Sequence, residues 1–154
     1  MSISSNASRT YTIQEASRLT GLPASTLRYY EGIGIIEPIE RDADSKHRVY
    51  SEDNLNLLDA IACLNATGLS LNDMREYIRN RNKGVAAAGE QVMLLEQQEE
   101  RLASEARLLE VRLNYVKLKI AYWKAIEAHN DSDAKDIGNQ ARLLAQSLKK
   151  LGNK

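Results

Sequence analysis

The chain is 154 residues long, balances 21 Lys plus Arg against 21 Asp plus Glu, and is 43% hydrophobic, which suits one ordinary domain or a small domain joined to an elongated element. No run of about 18 apolar residues occurs, so no transmembrane span is expected, and the single cysteine, Cys63, excludes an intramolecular disulfide or a metal site built from several thiolates of one chain. There is no Phe and only two prolines, Pro23 and Pro38, so everything after Pro38 can be helical without a proline break.

Residues 1–10 are polar and lack an apolar core, so they read as a flexible leader rather than a signal peptide, and a cytoplasmic location is expected. A helix begins near Thr12, which forms a capping-box pattern with Glu15, and Ile13, Ala16 and Leu19 share its apolar face. Gly21 can take the positive φ that ends a helix, and Pro23 suits the first turn of the next. The pair is a helix-turn-helix. In its second helix Leu27 and Tyr30 can face the first, leaving Ser25, Thr26, Arg28 and Tyr29 directed outward, residue types that suit phosphate oxygens and base edges. Ile35 to Pro38 leads into the charged loop Glu40 to Lys46 and returns through Arg48-Val49-Tyr50, which predicts a small β-hairpin, or wing. Arg41, Lys46, His47 and Arg48 would line it with donors for a phosphate backbone. Residues 1–83 hold 10 Lys plus Arg and 11 Asp plus Glu, so any nucleic-acid contact must come from a local patch, to which Arg18 and Arg28 also belong.

Ser51-Glu52-Asp53 starts a helix whose Leu57, Leu58, Ile61 and Leu64 form one stripe, and Thr67-Gly68 stops it. Ser70 with Asp73 caps a second short helix carrying Leu71, Met74 and Ile78, ending at Asn80 or Arg81. Residues 83–89 are small or helix-breaking and read as a hinge after a domain spanning 11–82. From 90 to 129 there is neither Pro nor Gly. Leu95, Leu102, Leu109, Val116 and Trp123 recur every seven residues, with Ala106, Leu113 and Ile120 four positions after three of them. That is a coiled-coil seam, parallel or antiparallel, and a helix of about 60 Å cannot bury it against the small domain alone. A partner chain is the economical cover; the chain's own C-terminal segment is the other. Residues 130–154 open on the cap Asn130 to Asp133 and form a last amphipathic helix through Ile137, Ala141, Leu144, Leu148 and Leu151, interrupted at Gly138. Its expected cover is the end of the long helix, where Tyr115, Tyr122 and Trp123 gather.

The order of parts resembles the amino-terminal domain of the MerR family of transcription regulators, on YTIQEASRLTGLPASTLRYYEGIGIIEP and HRVYSEDNLNLLDAIACLNATGLSLNDMREYI. The resemblance covers roughly the first half, and TLRYYEGIG followed by R-x-Y is its specific part. It implies a mainly α fold: a winged helix-turn-helix, a long antiparallel coiled-coil dimerisation helix and a short C-terminal helix. It further implies a homodimer that binds promoter double-stranded DNA, distorts the operator and acts with RNA polymerase there. Position by position, Ser25, Thr26, Arg28 and Tyr29 would contact DNA from the recognition helix, and Arg48 and Tyr50 from the wing. One departure is that the family usually has Gly-Tyr before the wing arginine, where this chain has Lys46-His47. The metal-responsive branches, with several cysteines, match poorly. Cys63 resembles the sensor thiol of the aldehyde- and thiol-stress branch, and helical arithmetic places it nearly opposite the Leu57–Leu64 stripe. No Lys or Arg lies close in sequence to lower its pKa. The family also places small-molecule effectors in the C-terminal region, as a drug-sensing branch does, which points to Tyr115, Tyr122 and Trp123.

No glycine loop for phosphates and no histidine beside a nucleophile is present, His47 and His129 being the only imidazoles, so no catalytic residue, metal or cofactor is expected. The alternative to an effector-responsive DNA-binding regulator is a coiled-coil adaptor whose winged domain binds protein. Salt-sensitive binding to DNA separates the two.

Overall fold

The structure is a computed structural model that describes residues 9–152. The polar leader expected at residues 1–10 lies, except for Arg9 and Thr10, outside the described residues. In chain order the elements are α1 (Ile13–Thr20), α2 (Ala24–Gly32), α3 (Glu52–Ala66), α4 (Leu71–Lys83), a 3-10 turn (Gly84–Ala87), α5 (Ala88–Glu127) and α6 (Asp131–Leu151). The chain divides into two compact units between Leu95 and Glu96.

In the first unit the helix starts follow from their caps. Thr12 and Glu15 complete the capping box of α1, Ser51 and Asn54 complete that of α3, and the Ser70 hydroxyl accepts from the Asp73 N–H at the start of α4. Gly21 ends α1 at φ 72°, the left-handed conformation a glycine adopts without strain. Pro23 is the cap residue before α2 rather than part of its first turn. Helix α1 packs on α2 and α3, and α3 on α4. Leu27, Tyr30, Tyr50, Leu58, Ile61 and Met74 are buried at the centre, and Ile35, Ile36 and Ile39 fill the side where the chain leaves α2.

Four expectations need correction here. Leu19 is 55% exposed and Thr20 is buried in its place. The Thr20 hydroxyl donates to the Ala16 carbonyl, so the buried polar group is satisfied and the helix can turn Leu19 outward. Leu71 is also exposed, and α4 continues to Lys83. The break expected at 83–89 is a 3-10 turn leading directly into α5, and the first compact unit extends past it to Leu95. Gln91 explains this: its amide donates to the Tyr77 carbonyl and its oxygen accepts from Asn80, while Leu94 joins the domain core.

In the second unit α5 shows two apolar faces. Leu108, Val111, Tyr115, Leu118, Tyr122 and Ala125 are half-buried. Helix α6 packs there, since a Cβ on Gly138 would lie 3.5 Å from the Tyr122 ring. Its inward residues are Ala134, Ile137, Gly138, Ala141, Leu144 and Leu148. Helix α6 is uninterrupted at Gly138, and Leu151 is exposed, both contrary to the sequence reading. His129 turns the chain at φ 54°, and Asn130 caps α6 by accepting from the Asp133 N–H. The other face of α5 carries the heptad residues. Leu102, Leu109, Leu113, Val116, Ile120 and Trp123 are 40–64% exposed, Ala106 is exposed between them, and Leu95, in the first unit, is 40% exposed.

Candidate nucleic-acid interface

The candidate interface is built on α2. Burying Leu27 and Tyr30 fixes the helix rotation, and 100° per residue then turns Ser25, Arg28 and Tyr29 to solvent, with Thr26 half-buried beside them. Tyr29 is 52% exposed although its ring lies 6.2 Å from that of Tyr30, so the pair has one buried and one presented face. These are hydroxyl and guanidinium donors on one side of a rigid helix, the arrangement that lets a helix touch base edges and phosphates.

The wing is shorter than the hairpin expected from the sequence. Among the described residues it consists of a single antiparallel bridge between Arg41 and Arg48, with Asp42 N–H donating to His47 O and Val49 N–H to Glu40 O. The pairing stops there for two local reasons. At the tip the Asp42 carboxylate accepts from the N–H groups of Asp44 and Ser45, closing the loop on itself. At the base Tyr50 leaves its wing neighbours and pairs with Tyr11 through both backbone hydrogen bonds. The Ser45 amide and hydroxyl, and then the Asp44 amide, hold the Asp42 carboxyl below its usual pKa. Lys46 takes φ 60°, a left-handed conformation that favours glycine. Arg41, Lys46 and His47 are exposed, as expected, although Arg41 also donates to the Lys46 carbonyl and Lys46 to that of Ala43.

Two residues assigned to DNA from the sequence are used differently. Tyr50 is fully buried, which removes it from any external contact, and burial pushes its hydroxyl pKa up. Its Oη has no hydrogen-bond partner among the described residues. Arg48 is largely buried, and its Nε donates to Glu31 in the last turn of α2. Glu31 also accepts from the Ile39 N–H at 3.3 Å. Arg75, on α4, donates to the Ile33 carbonyl just beyond α2. Glu31 is thus the residue that sequence reasoning missed. The available signal was its register, four positions after buried Leu27, where a carboxylate needs a partner.

The remaining candidates are dispersed. Cys63 is exposed on α3, opposite its stripe as the helical arithmetic has it. Tyr115 and Tyr122 are half-buried on the α6 side of α5, whereas Trp123 is 62% exposed toward the heptad side with its ring edge-on to that of Tyr122 at 5.4 Å, so this pair spans the border between the two faces. Among the described residues no cluster of His, Cys, Asp and Glu could hold a metal ion, and no described helix is long and apolar enough to cross a membrane.

This arrangement has a counterpart among known proteins. A model of the MerR HTH family of regulatory proteins matches residues 11–81. The helix-turn-helix domain is therefore similar to that of the MerR family. An HTH-type transcriptional regulator of Haemophilus influenzae is 28% identical over 77% of this chain and 87% of its own length. The regulator AdhR of Bacillus subtilis is 40% identical over 42% of the chain, but the match spans only 46% of AdhR. Among solved structures, HiNmlR, described as a MerR family regulator lacking the sensor domain and bound to promoter DNA, superposes with a TM-score of 0.64 at 26% identity, covering 84% of this chain and 96% of that one. A MerR family transcriptional regulator from Listeria monocytogenes gives 0.66 at 26% identity, covering 84% and 98%. The likeness therefore extends past the winged domain into the long helix.

Proposed function

We propose that the chain is a MerR-type transcriptional regulator that binds promoter double-stranded DNA as a homodimer and controls RNA polymerase there by distorting the operator. It has no catalytic role in this reading. The observation that carries it is the exposed row Ser25, Arg28 and Tyr29 on α2, together with the exposed wing residues Arg41, Lys46 and His47. A DNA-bound MerR-family neighbour with the same architecture supports it.

Dimerisation follows from the exposed heptad face. Helix α6 is already engaged on the opposite side of α5, so this stripe needs a second copy. Charge favours antiparallel pairing. The first part of α5 carries Glu90, Glu96, Glu99, Glu100, Glu105 and Glu110 with Arg101 and Arg107, whereas Arg112, Lys117, Lys119 and Lys124 dominate its second part. Antiparallel alignment sets the acidic half against the basic half, and a parallel one sets like against like. Two α2 helices held by one rod then address two half-sites on one duplex. An effector acting on this rod would alter the spacing of the winged domains, against a DNA deformation cost of a few kcal/mol. Exposed Cys63 is the thiol through which an electrophile would act, and titrating promoter output in a Cys63→Ala variant tests that role. The site of action would be cytoplasmic.

The test of the main reading is a mobility-shift assay on the gene's own upstream DNA at several salt concentrations. Binding that depends on sequence and weakens with salt is expected. Absence of any DNA binding would overturn the reading and turn attention to a protein ligand for the winged domain.

A further inference from the structure

The wing meets the recognition helix at one carboxylate. Glu31, with its side chain 12% exposed, holds both limbs of the wing. One oxygen accepts from the N–H of Ile39, on the limb that leaves α2, and the other takes Nε of Arg48, on the limb that returns. Beyond these contacts the wing tip is closed on itself, Asp42 with Asp44 and Ser45, Arg41 with Lys46 and Lys46 with Ala43. The direction in which the wing leaves the body is therefore fixed at its base.

That geometry matters for how a duplex is read. Phosphate contacts carry no sequence information, but they set the register in which base contacts are made. A wing locked to α2 can place its cations on phosphates only when α2 sits at one depth and angle. A wing that swivels can keep its phosphate contacts while α2 sits wrongly. We infer that Glu31 is a positioning residue that makes α2 and the wing one rigid reading head, and that it raises sequence discrimination through Arg48 without touching DNA. This rests on the regulator reading above.

The carboxylate has a second effect. It neutralises Arg48 close to the proposed DNA face, so its loss should release a cation toward any phosphate, matched or not. Glu31→Gln keeps an oxygen for the Ile39 N–H and removes the charge that holds Arg48. The expected result is an operator-to-scrambled affinity ratio about tenfold lower, the size of one mismatched base pair, together with a slope of log Kd against log salt steeper by about one phosphate contact. A purely structural role would not steepen the salt slope.

The experiment measures both quantities for the full-length chain and for Glu31→Gln, Arg48→Gln and the double variant, with thermal unfolding alongside. If Glu31 acts through Arg48, the double variant discriminates as poorly as Arg48→Gln and no worse. Additive losses would overturn the proposal, as would an unchanged ratio in folded Glu31→Gln. Should Glu31→Gln not fold, Arg48→Lys decides in its place, because it keeps the charge and loses the planar fork. A lowered ratio is expected, and an unchanged one overturns the proposal. Absence of any sequence preference in the unsubstituted chain would instead overturn the regulator reading, and this inference with it.

Discussion

Replacing Leu109 by lysine tests the dimer directly, because Leu109 is the middle of the five heptad positions from Leu95 to Trp123 and in an antiparallel pair would face its own copy. Full burial of a leucine side chain is worth about 1.5–3 kcal/mol. Since 64% of Leu109 is exposed in the single chain, pairing should recover roughly 1–2 kcal/mol per copy. The substitution removes this twice and sets two ammonium groups against each other, so association should weaken by about 3 kcal/mol or more. That corresponds to a rise in Kd of more than about a hundredfold. Lysine and leucine have similar helix propensities, so α5 itself should persist, which far-UV circular dichroism checks. Sedimentation velocity across the micromolar range should show a dimer for the unsubstituted chain and monomer for Leu109→Lys, with operator affinity lost in parallel. Leu143→Lys is the control, because Leu143 is 68% exposed but lies on α6, away from the stripe. If Leu109→Lys sediments like the unsubstituted chain, or if the unsubstituted chain is monomeric, the heptad face is not the interface.

Tyr50→Phe removes a buried hydroxyl that has no partner among the described residues, so thermal unfolding should show stability raised by about 1 kcal/mol, with operator affinity unchanged. A tenfold loss of affinity would return Tyr50 to the DNA contacts. Gly138→Ala should stabilise the α5–α6 pair by about 0.5–1 kcal/mol, because a Cβ there meets the Tyr122 ring at an ordinary 3.5 Å and the helix gains propensity; a destabilised protein would mean that the two helices lie closer. The lowered Asp42 pKa favours the charged carboxylate in the folded wing, so its contribution is complete above about pH 4 and is lost as pH falls through the lowered value. The Ser45 amide resonance should titrate with a midpoint below that of ordinary aspartate, and a midpoint at or above it would refute the Asp42 turn.

Local signals carried far in this chain and long-range ones did not. The capping box at Thr12 and Glu15, the caps at Ser51 and Ser70 and the positive φ at Gly21 are each decided within about four residues, and each is found where the sequence places it. The side of α3 that carries Cys63 follows from the same short-range periodicity. The Glu31–Arg48 pair spans 17 residues, and no spacing rule links two such positions. Tyr50 misled for a related reason. The family resemblance assigns it to DNA beside Arg48, but its backbone is paired with Tyr11, 39 positions earlier in the chain, and that contact carries it into the core. At Gly84 the local signal was correct and its meaning was not. Its φ of 62° does end α4, yet Gln91 and Leu94 tie the following helix back to the same domain.

The long helix shows how one sequence can satisfy two partners at once. Its heptad residues and its Leu108, Val111, Tyr115, Leu118 and Tyr122 series lie on different sides, and α6 occupies the second of these. Read alone, the helix is apolar on two faces, a pattern that in an isolated domain helix would signal full burial. The C-terminal helix resolves half of it. The alternative in which the chain folds back to cover its own seam fails on this geometry, because α6 does fold back but covers the other face. What stays uncovered is a continuous apolar row with its charges sorted by sign along the rod, and a second copy running the opposite way satisfies both features together.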